Sequence, residues 1–272
     1  MTFLAGLLSS RRSSSNFSPA QMFSSGQRGG WWDPSDLSTL FQDAAGTVPV
    51  TAPGQSVLLM KDKSGNNNHF SQTTSSQAPK LQKDANNNYY LALSSAASQF
   101  MSAGNGAALA PRTSSFMSIL GGNPNSASTS GTFYARAQAA GTVGRYWQQP
   151  NAGSQQTNFN SNSGVATGSF ASTATTPFVL SGYADRSTGN GNVVSRVNAA
   201  AGTTGSFTPD TGIDYNPSLR LLLGAYNNAA DNGQQNYFDG SIYGFILVFD
   251  VLSLPNVVGA EKWIGKKCGV SL

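Results

Sequence analysis

Few residues in this chain can carry out covalent chemistry. It holds one histidine and one cysteine, His69 and Cys268, and its one glutamate is Glu261 near the C-terminus. Retaining glycoside hydrolysis needs two carboxyl groups about 5–5.5 Å apart. A nucleophile relay needs a positioned base and an acid to orient it, and zinc needs a set of nitrogen and sulfur ligands. One histidine after an Asn run, one cysteine and one glutamate supply none of these sets. Aspartates are more numerous, but Asp33, Asp36, Asp62, Asp84, Asp185, Asp210, Asp214, Asp231, Asp239 and Asp250 fall mostly in turn contexts. A carboxylate there hydrogen-bonds its own backbone. The expectation is a noncatalytic protein with no cofactor and no metal.

Hard-cation and sugar chemistry are better supplied. Calcium takes carboxylates, amides and carbonyls, so Asp62, Asn66 and Asn68 form a candidate loop, as do Asp231 and Asn232 near Asp239. The same residues also suit a hydrogen-bonded turn. Sugars stack on exposed aromatic rings, and Trp31, Tyr146, Trp147, Tyr226 and Tyr237 lie beside polar loops. Aromatics also bury large apolar areas, so core or interface is the competing reading for each. Trp32 and Trp263 read as core, and Cys268 as a small packed residue of a helix end. The Gly189-Asn-Gly191 loop lacks the helix and lysine of a phosphate cradle.

The elements that must position these groups follow from composition. Charged residues are only 10% of 272, against about 25% in an ordinary soluble protein. Ser, Thr, Asn, Gln and Gly must therefore cover the surface, as suits many turns and short strands. The net charge is +4, but Arg11, Arg12 and Arg28 precede the first acid and leave about +1 for the rest. The high pI belongs to an N-terminal arm, and no basic helix or basic-aromatic stripe supports a nucleic-acid partner. Met1–Leu8 is apolar but short, with its arginines after the run, which is the wrong order for a secretory signal. No segment reaches the roughly 20 apolar residues of a membrane span, so no membrane insertion is expected.

Residues 1–29 read as a docking arm and 30–272 as one domain. In the arm, Leu4, Leu7, Arg11, Arg12, Phe17 and Phe23 are the groups a partner would bury or pair. Asp36 or Ser35 can cap a short helical piece at Leu37–Phe41. Apolar runs between turn signals predict strands at 56–62, 89–93, 115–120, 132–136, 144–148, 156–160, 178–185, 193–198 and 219–225. The turn chemistry of Ser187–Asn192 makes a hairpin of two of them. In the strand from Ile242 to Asp250 both faces are apolar. Alternation puts Ile242, Ile246 and Val248 on one face and Tyr243, Phe245, Leu247 and Phe249 on the other, one against a second sheet, the other against a helix or a neighbouring subunit. A helix follows, with Ser253 as N-cap, Pro255 in its first turn, Val257, Glu261 and Ile264 at helical spacing and Gly269 past its end.

Four segments carry a family resemblance: Trp32-Asp-Pro-Ser-Asp-Leu-Ser-Thr-Leu-Phe-Gln-Asp43, Val48–Ala52, Asp62-Lys-Ser-Gly-Asn-Asn-Asn-His69, and Phe238-Asp-Gly-Ser-Ile-Tyr243 before the closing helix. Together they resemble the concanavalin A-like (laminin-G-like) domains of tailed phages and prophages, over about residues 20–270. The resemblance implies an all-β jelly-roll β-sandwich with an N-terminal extended arm and one short C-terminal helix. It also implies a structural virion component, on head or tail, assembled in the bacterial cytoplasm. Its partners would be capsid or tail proteins and further copies of itself in a homo-oligomer. The alternative is a receptor-recognition module of a tail fibre that binds a host surface glycan. The glucanase branch of the fold is similar in shape but carries a Glu-x-Asp-x-x-Glu strand, which this chain lacks.

Overall fold

The computed structural model describes residues 17–103, 108–111, 113–126, 131–137, 145–151, 153–161, 164–171, 175–186, 191–209, 219–228, 233–250 and 253–272. The first third makes short strands: β1 (Arg28–Trp32), β2 (Leu40–Phe41), β3 (Leu59–Met60), β4 (Phe70–Ser71), β5 (Lys80–Lys83), β6 (Tyr89–Leu93) and β7 (Met101–Ala103). Longer ones follow: β8 (Phe116–Pro124), β9 (Tyr134–Arg136), β10 (Arg145–Asn151), β11 (Ser154–Ser161), β12 (Gly164–Ala171), β13 (Phe178–Asp185), β14 (Gly191–Val197) and β15 (Ala200–Phe207). The chain closes with β16 (Leu221–Leu223), β17 (Tyr226–Asn227), β18 (Gln234–Gln235), β19 (Gly240–Phe249) and helix α1 (Leu254–Cys268).

All strands but β17 and β18 join one antiparallel sheet that folds over into two facing layers. The first layer runs β19, β8, β13, β14, β15, with β6 and β1 end to end along the other edge of β19. The second runs β2, β3, β4, β7, β16, β9, β10, β11, β12. Ser169 on β12 pairs with Thr203 on β15 and joins the layers at one side. Between them lies the main core. Trp32 stacks on Phe245 at 5.2 Å, Tyr134 stacks on its own side at 4.6 Å, and Phe70 closes on Trp32 at 4.6 Å.

Strand β19 is buried over its whole length on both faces, as its two-sided apolar pattern requires. One correction applies to those faces. The pairing with β8 slips between Ile242 and Gly244, which inserts Tyr243 as a bulge residue. A bulge shifts the side-chain alternation by one. Ile242 therefore joins Phe245, Leu247 and Phe249 in the main core, while Tyr243 joins Ile246 and Val248 on the outer face.

That outer face is covered by α1, which seats Val257, Ala260, Ile264 and Cys268 against it. Gly121 makes the contact close: a Cβ there would lie 2.9 Å from Ile264 Cγ2 and 3.4 Å from Cys268 Sγ. Ser253 holds the N-cap position without a side-chain bond, and Gly269 ends the helix in the left-handed region at φ 73°. Glu261 is 1% exposed and receives two bonds from Arg196 on β14, Nε to Oε1 at 2.8 Å and Nη2 to Oε2 at 3.1 Å. Burial also pushes the Cys268 thiol up to about 12.

The N-terminal boundary differs from the expectation of an arm to residue 29. Pro19–Phe23 is a 3-10 turn packed on α1 and β19, with Met22 and Phe23 buried. The Phe17 ring occupies the space a Cβ on Gly259 would need. Phe17 and Phe23 are thus spent on the domain's own helix, because the outer face of β19 and α1 leaves apolar surface that this segment helps to cover. Leu4, Leu7, Arg11 and Arg12 lie outside the described residues. Other departures are local. Only Leu37–Thr39 is helical, capped by Asp36, and Leu40 is already extended. The strand expected at 56–62 shortens to β3. Trp263 is only half buried, edge-on to Trp31 at 5.5 Å.

Two substitutions test this packing. Glu261→Gln leaves the Arg196 guanidinium without its countercharge and should cost about 3 kcal/mol in urea denaturation; a loss under 1 kcal/mol would contradict the pair's role. The β14–β15 hairpin turns on Asn198 and Ala199, both at positive φ, 50° and 66°. Ala199→Gly relieves a left-handed non-glycine residue and should raise stability by about 0.5–1 kcal/mol.

Candidate functional site

The motif residues that resembled a family signature form a brace. Asp62 accepts from Trp31 N, Ser64 N, Ser64 Oγ and Asn68 N at 2.8–3.0 Å. Asn66 and Asn68 donate through Nδ2 to Gly29 O at 3.2 and 2.7 Å. A cation site needs converging acceptors; here both amide nitrogens turn inward as donors and the carboxylate is already saturated. The loop therefore holds β1. Asp231 and Asn232 lie outside the described residues. Among the described residues no three His, Cys, Asp or Glu side chains cluster as metal ligands. His69 accepts the Asp62 amide on Nδ1 at 3.0 Å.

Lysines tie the brace to the helix. Lys63 bridges Asp36 at 2.6 Å and Asp33 at 3.5 Å, while Lys267 on α1 reaches Asp33 at 3.1 Å and Ser35 Oγ at 2.6 Å. Burial alone would raise the Asp36 carboxyl, but hydrogen bonds from Lys63 and Ser38, with the Lys63 charge, hold it below its usual range.

The five aromatic candidates separate. Tyr146 is fully buried between the layers, where its hydroxyl donates to Leu109 O at 2.9 Å and burial raises its pKa. Trp31 is buried under Lys63, whose Nζ sits 4.5 Å from its ring. Tyr237 packs against Phe100 at 6.2 Å. Three of the five are thus packing residues. Only Trp147 and Tyr226 come together, edge to face at 5.7 Å, and they do so on the outer face of the second layer.

That face follows from the period of two. On β10, Tyr146 and Gln148 point inward, so Arg145, Trp147 and Gln149 point out. Antiparallel partners share a face, which adds Asn160, Asn158 and Gln156 from β11 and then Val165, Thr167 and Ser169 from β12. Nine side chains make a grid of three rows, roughly 10 by 13 Å from strand and residue spacings. The rows are Arg145–Asn160–Val165, Trp147–Asn158–Thr167 and Gln149–Gln156–Ser169.

The grid is rich in amides and hydroxyls and has no carboxylate. Gln149 Nε2 and Asn151 Nδ2 both donate to Gln156 Oε1, at 3.4 and 3.2 Å. Thr167 Oγ1 donates to Asn158 Oδ1 at 2.7 Å, and Ser169 and Thr203 hydroxyls meet at 2.9 Å. Burial raises the Tyr226 hydroxyl, opposed by the charge of Arg145 and its hydrogen bond. Trp147 is 9% exposed and Val165 52%, so the surface grades from a shielded aromatic to an open aliphatic side chain. Its chemistry is hydrogen bonding to a neutral polar ligand beside one indole. The amide column was visible in sequence as Gln156, Asn158 and Asn160 at every second residue. Strand β12 was not, because Gly164–Ala171 has no apolar alternation.

No protein-family model matches the sequence, and no curated protein matches it. Solved structures are similar to it. A chain described as HCR/D-Sa-GBL1/C gives a TM-score of 0.55 at 11% identity, over 89% of this chain and 52% of that one. A mutant GH54 α-L-arabinofuranosidase soaked with 4-nitrophenyl α-L-arabinofuranoside gives 0.53 at 12% identity, over 93% and 66%. The CBM40 of the Ruminococcus gnavus IT-sialidase bound to α2,3-sialyllactose gives 0.43 at 13% identity, over 56% and 84%. At such identities the likeness is one of fold: the chain is a concanavalin A-like jelly-roll β-sandwich with one C-terminal helix.

Proposed function

We propose that this protein is a noncatalytic glycan-recognition module whose binding surface is the outer face of β10, β11 and β12. The observation that carries this reading is the grid itself: amides and hydroxyls flank Trp147, and no acid stands among them. Glycoside cleavage needs a carboxyl pair, and Glu261 is held by Arg196 on the helix side of the other layer. A surface of this composition offers many hydrogen bonds and little charge, which suits sugar hydroxyls. Trp147 shows only 9% of its area and Arg145, Asn158 and Asn160 less, so the groups a ligand reaches first are Gln149, Gln156, Val165, Thr167 and Ser169.

The setting of the module is a tailed-phage virion, with capsid or tail proteins and further copies of the chain as partners and a host surface glycan as ligand. The Trp32–Asp43 and Asp62–His69 segments support this through their resemblance to phage domains. Phe17 seats on α1, on the layer opposite the grid. An attachment there leaves the recognition face free.

Two experiments test these readings. On a bacterial glycan array followed by calorimetry, Trp147→Ala should weaken binding about tenfold or more, whereas Lys262→Ala on the exposed side of α1 should change nothing; equal binding by both variants sinks the assignment. Deleting residues 1–16 should abolish incorporation into particles without lowering the melting temperature. Deletion through residue 28 also removes Met22 and Phe23 and should lower it by about 5 °C or more. Normal incorporation of the shorter deletion would refute attachment through this segment.

A further inference from the structure

Helix α1 has an outward face that the fold does not use. Val257, Ala260, Ile264 and Cys268 turn inward, so Pro255, Gly259, Lys262 and Lys266, at steps of four, three and four residues, form the opposite stripe. Pro255, Lys262 and Lys266 are exposed, whereas Gly259 is buried beneath the Phe17 ring, which occupies the place its Cβ would take. One turn on from Gly259, Trp263 is half buried, and so is Phe17 itself. Two partly open rings are thus set beside two exposed lysines on one side of the helix.

The charge of those lysines is uncompensated. Glu261, the one acid of α1, turns inward to Arg196, and Asp33 and Asp36 are taken by Lys63 and Lys267. Neither the Lys262 nor the Lys266 side chain makes an ion pair or hydrogen bond among the described residues. Residues 1–16 cannot neutralise them either, since that segment contains Arg11 and Arg12 and no acid.

From this stripe we infer that α1 docks the chain onto an acidic protein surface, in the virion an acidic patch of a capsid or tail protein. The inference rests on the virion setting proposed above and names the face and the chemistry of the attachment. Aromatic rings with one side open supply anchoring area at protein interfaces, and flanking charges set partner choice and encounter rate. Nucleic acid fits less well, because two lysines on one stripe neutralise few phosphates. A lipid surface needs an apolar helix face, and the apolar face of α1 is already buried against β19.

The test binds the purified full-length protein to particles assembled without it and reads the bound fraction after sedimentation. Lys262→Glu combined with Lys266→Glu should weaken binding about tenfold or more. Raising salt from about 0.05 to 0.5 M should weaken the wild type in the same direction. The same reversal at Lys80 and Lys83, exposed on β5, should leave binding unchanged. Glutamate in the last turn opposes the helix dipole, so the neutral pair Lys262→Gln and Lys266→Gln is measured as well; it should lose a smaller part of the affinity at an unchanged melting temperature. If the wild type binds and both α1 variants bind equally well, the docking assignment is wrong while the virion setting stands. An equal loss in the Lys80 and Lys83 variant overturns it too, and so does loss of wild-type binding on nuclease treatment of the particles, which marks a nucleic-acid partner. If the wild type does not bind particles at all, the virion setting falls and the docking assignment falls with it.

Discussion

Everything in this molecule is arranged around a strand that has no solvent face. β19 pairs with β8 along one edge and with β6 and then β1 along the other, and its side chains are buried above and below. Apolar area buried on both faces, at about 25 cal/mol per Å², makes it a contributor to both cores. It also obliges the chain to supply two covers. The second layer is one and α1 with the Phe17–Phe23 segment is the other. The bulge at Tyr243 sits where the pairing edge passes from β6 to β1, and it turns one apolar residue from one cover to the other.

The brace at Asp33, Asp36, Asp62, Lys63 and Lys267 follows from that obligation. β1 is held to β19 by only five residue pairs, and its first residues are glycines and an arginine with little to pack. Asp62 and Asn68 secure its backbone, and Lys63 and Lys267 link the turn after it to the helix. Residues whose types suggested metal or catalytic chemistry are therefore engaged in holding an edge of the first layer. Charged groups are scarce in this chain, and these are used where backbone pairing is thinnest.

The opposite layer is freed by this arrangement. With the helix, the Phe17–Phe23 segment and the ionic brace all on one side, no helix among the described residues covers the outer face of β10–β12. Its side chains are short amides and hydroxyls, joined by hydrogen bonds across neighbouring strands. The layers close together at this side because glycines remove side chains between them. A Cβ on Gly168 would lie 2.7 Å from Ser195 N, and one on Gly205 would meet the Thr167 backbone. Backbone thus packs on backbone there, and the polar residues are left to face outward.

Much of the fold was legible in the sequence. β6 and β13 agree at both ends with the strands expected from their apolar runs, and α1 follows from Pro255, Gly269 and the spacing of Val257, Glu261 and Ile264. Apolar period and turn chemistry act locally, so a sequence reports them directly. β12 and β15 were not legible, since Gly, Ala, Thr and Ser signal a strand only once a neighbouring backbone is close enough to require them. Nor could the sequence say which aromatics would be spent on packing. Tyr146 and Trp147 are adjacent and similar in character, yet strand parity sends one into the core and the other to the surface. By itself the sequence determined an all-β sandwich with a two-sided strand, a closing helix and almost no catalytic groups. Only the tertiary structure decided that Asp62 braces a strand, that Phe17 and Phe23 belong to the domain, and that Asn158 meets Trp147, because each depends on pairing register between segments the chain does not hold together.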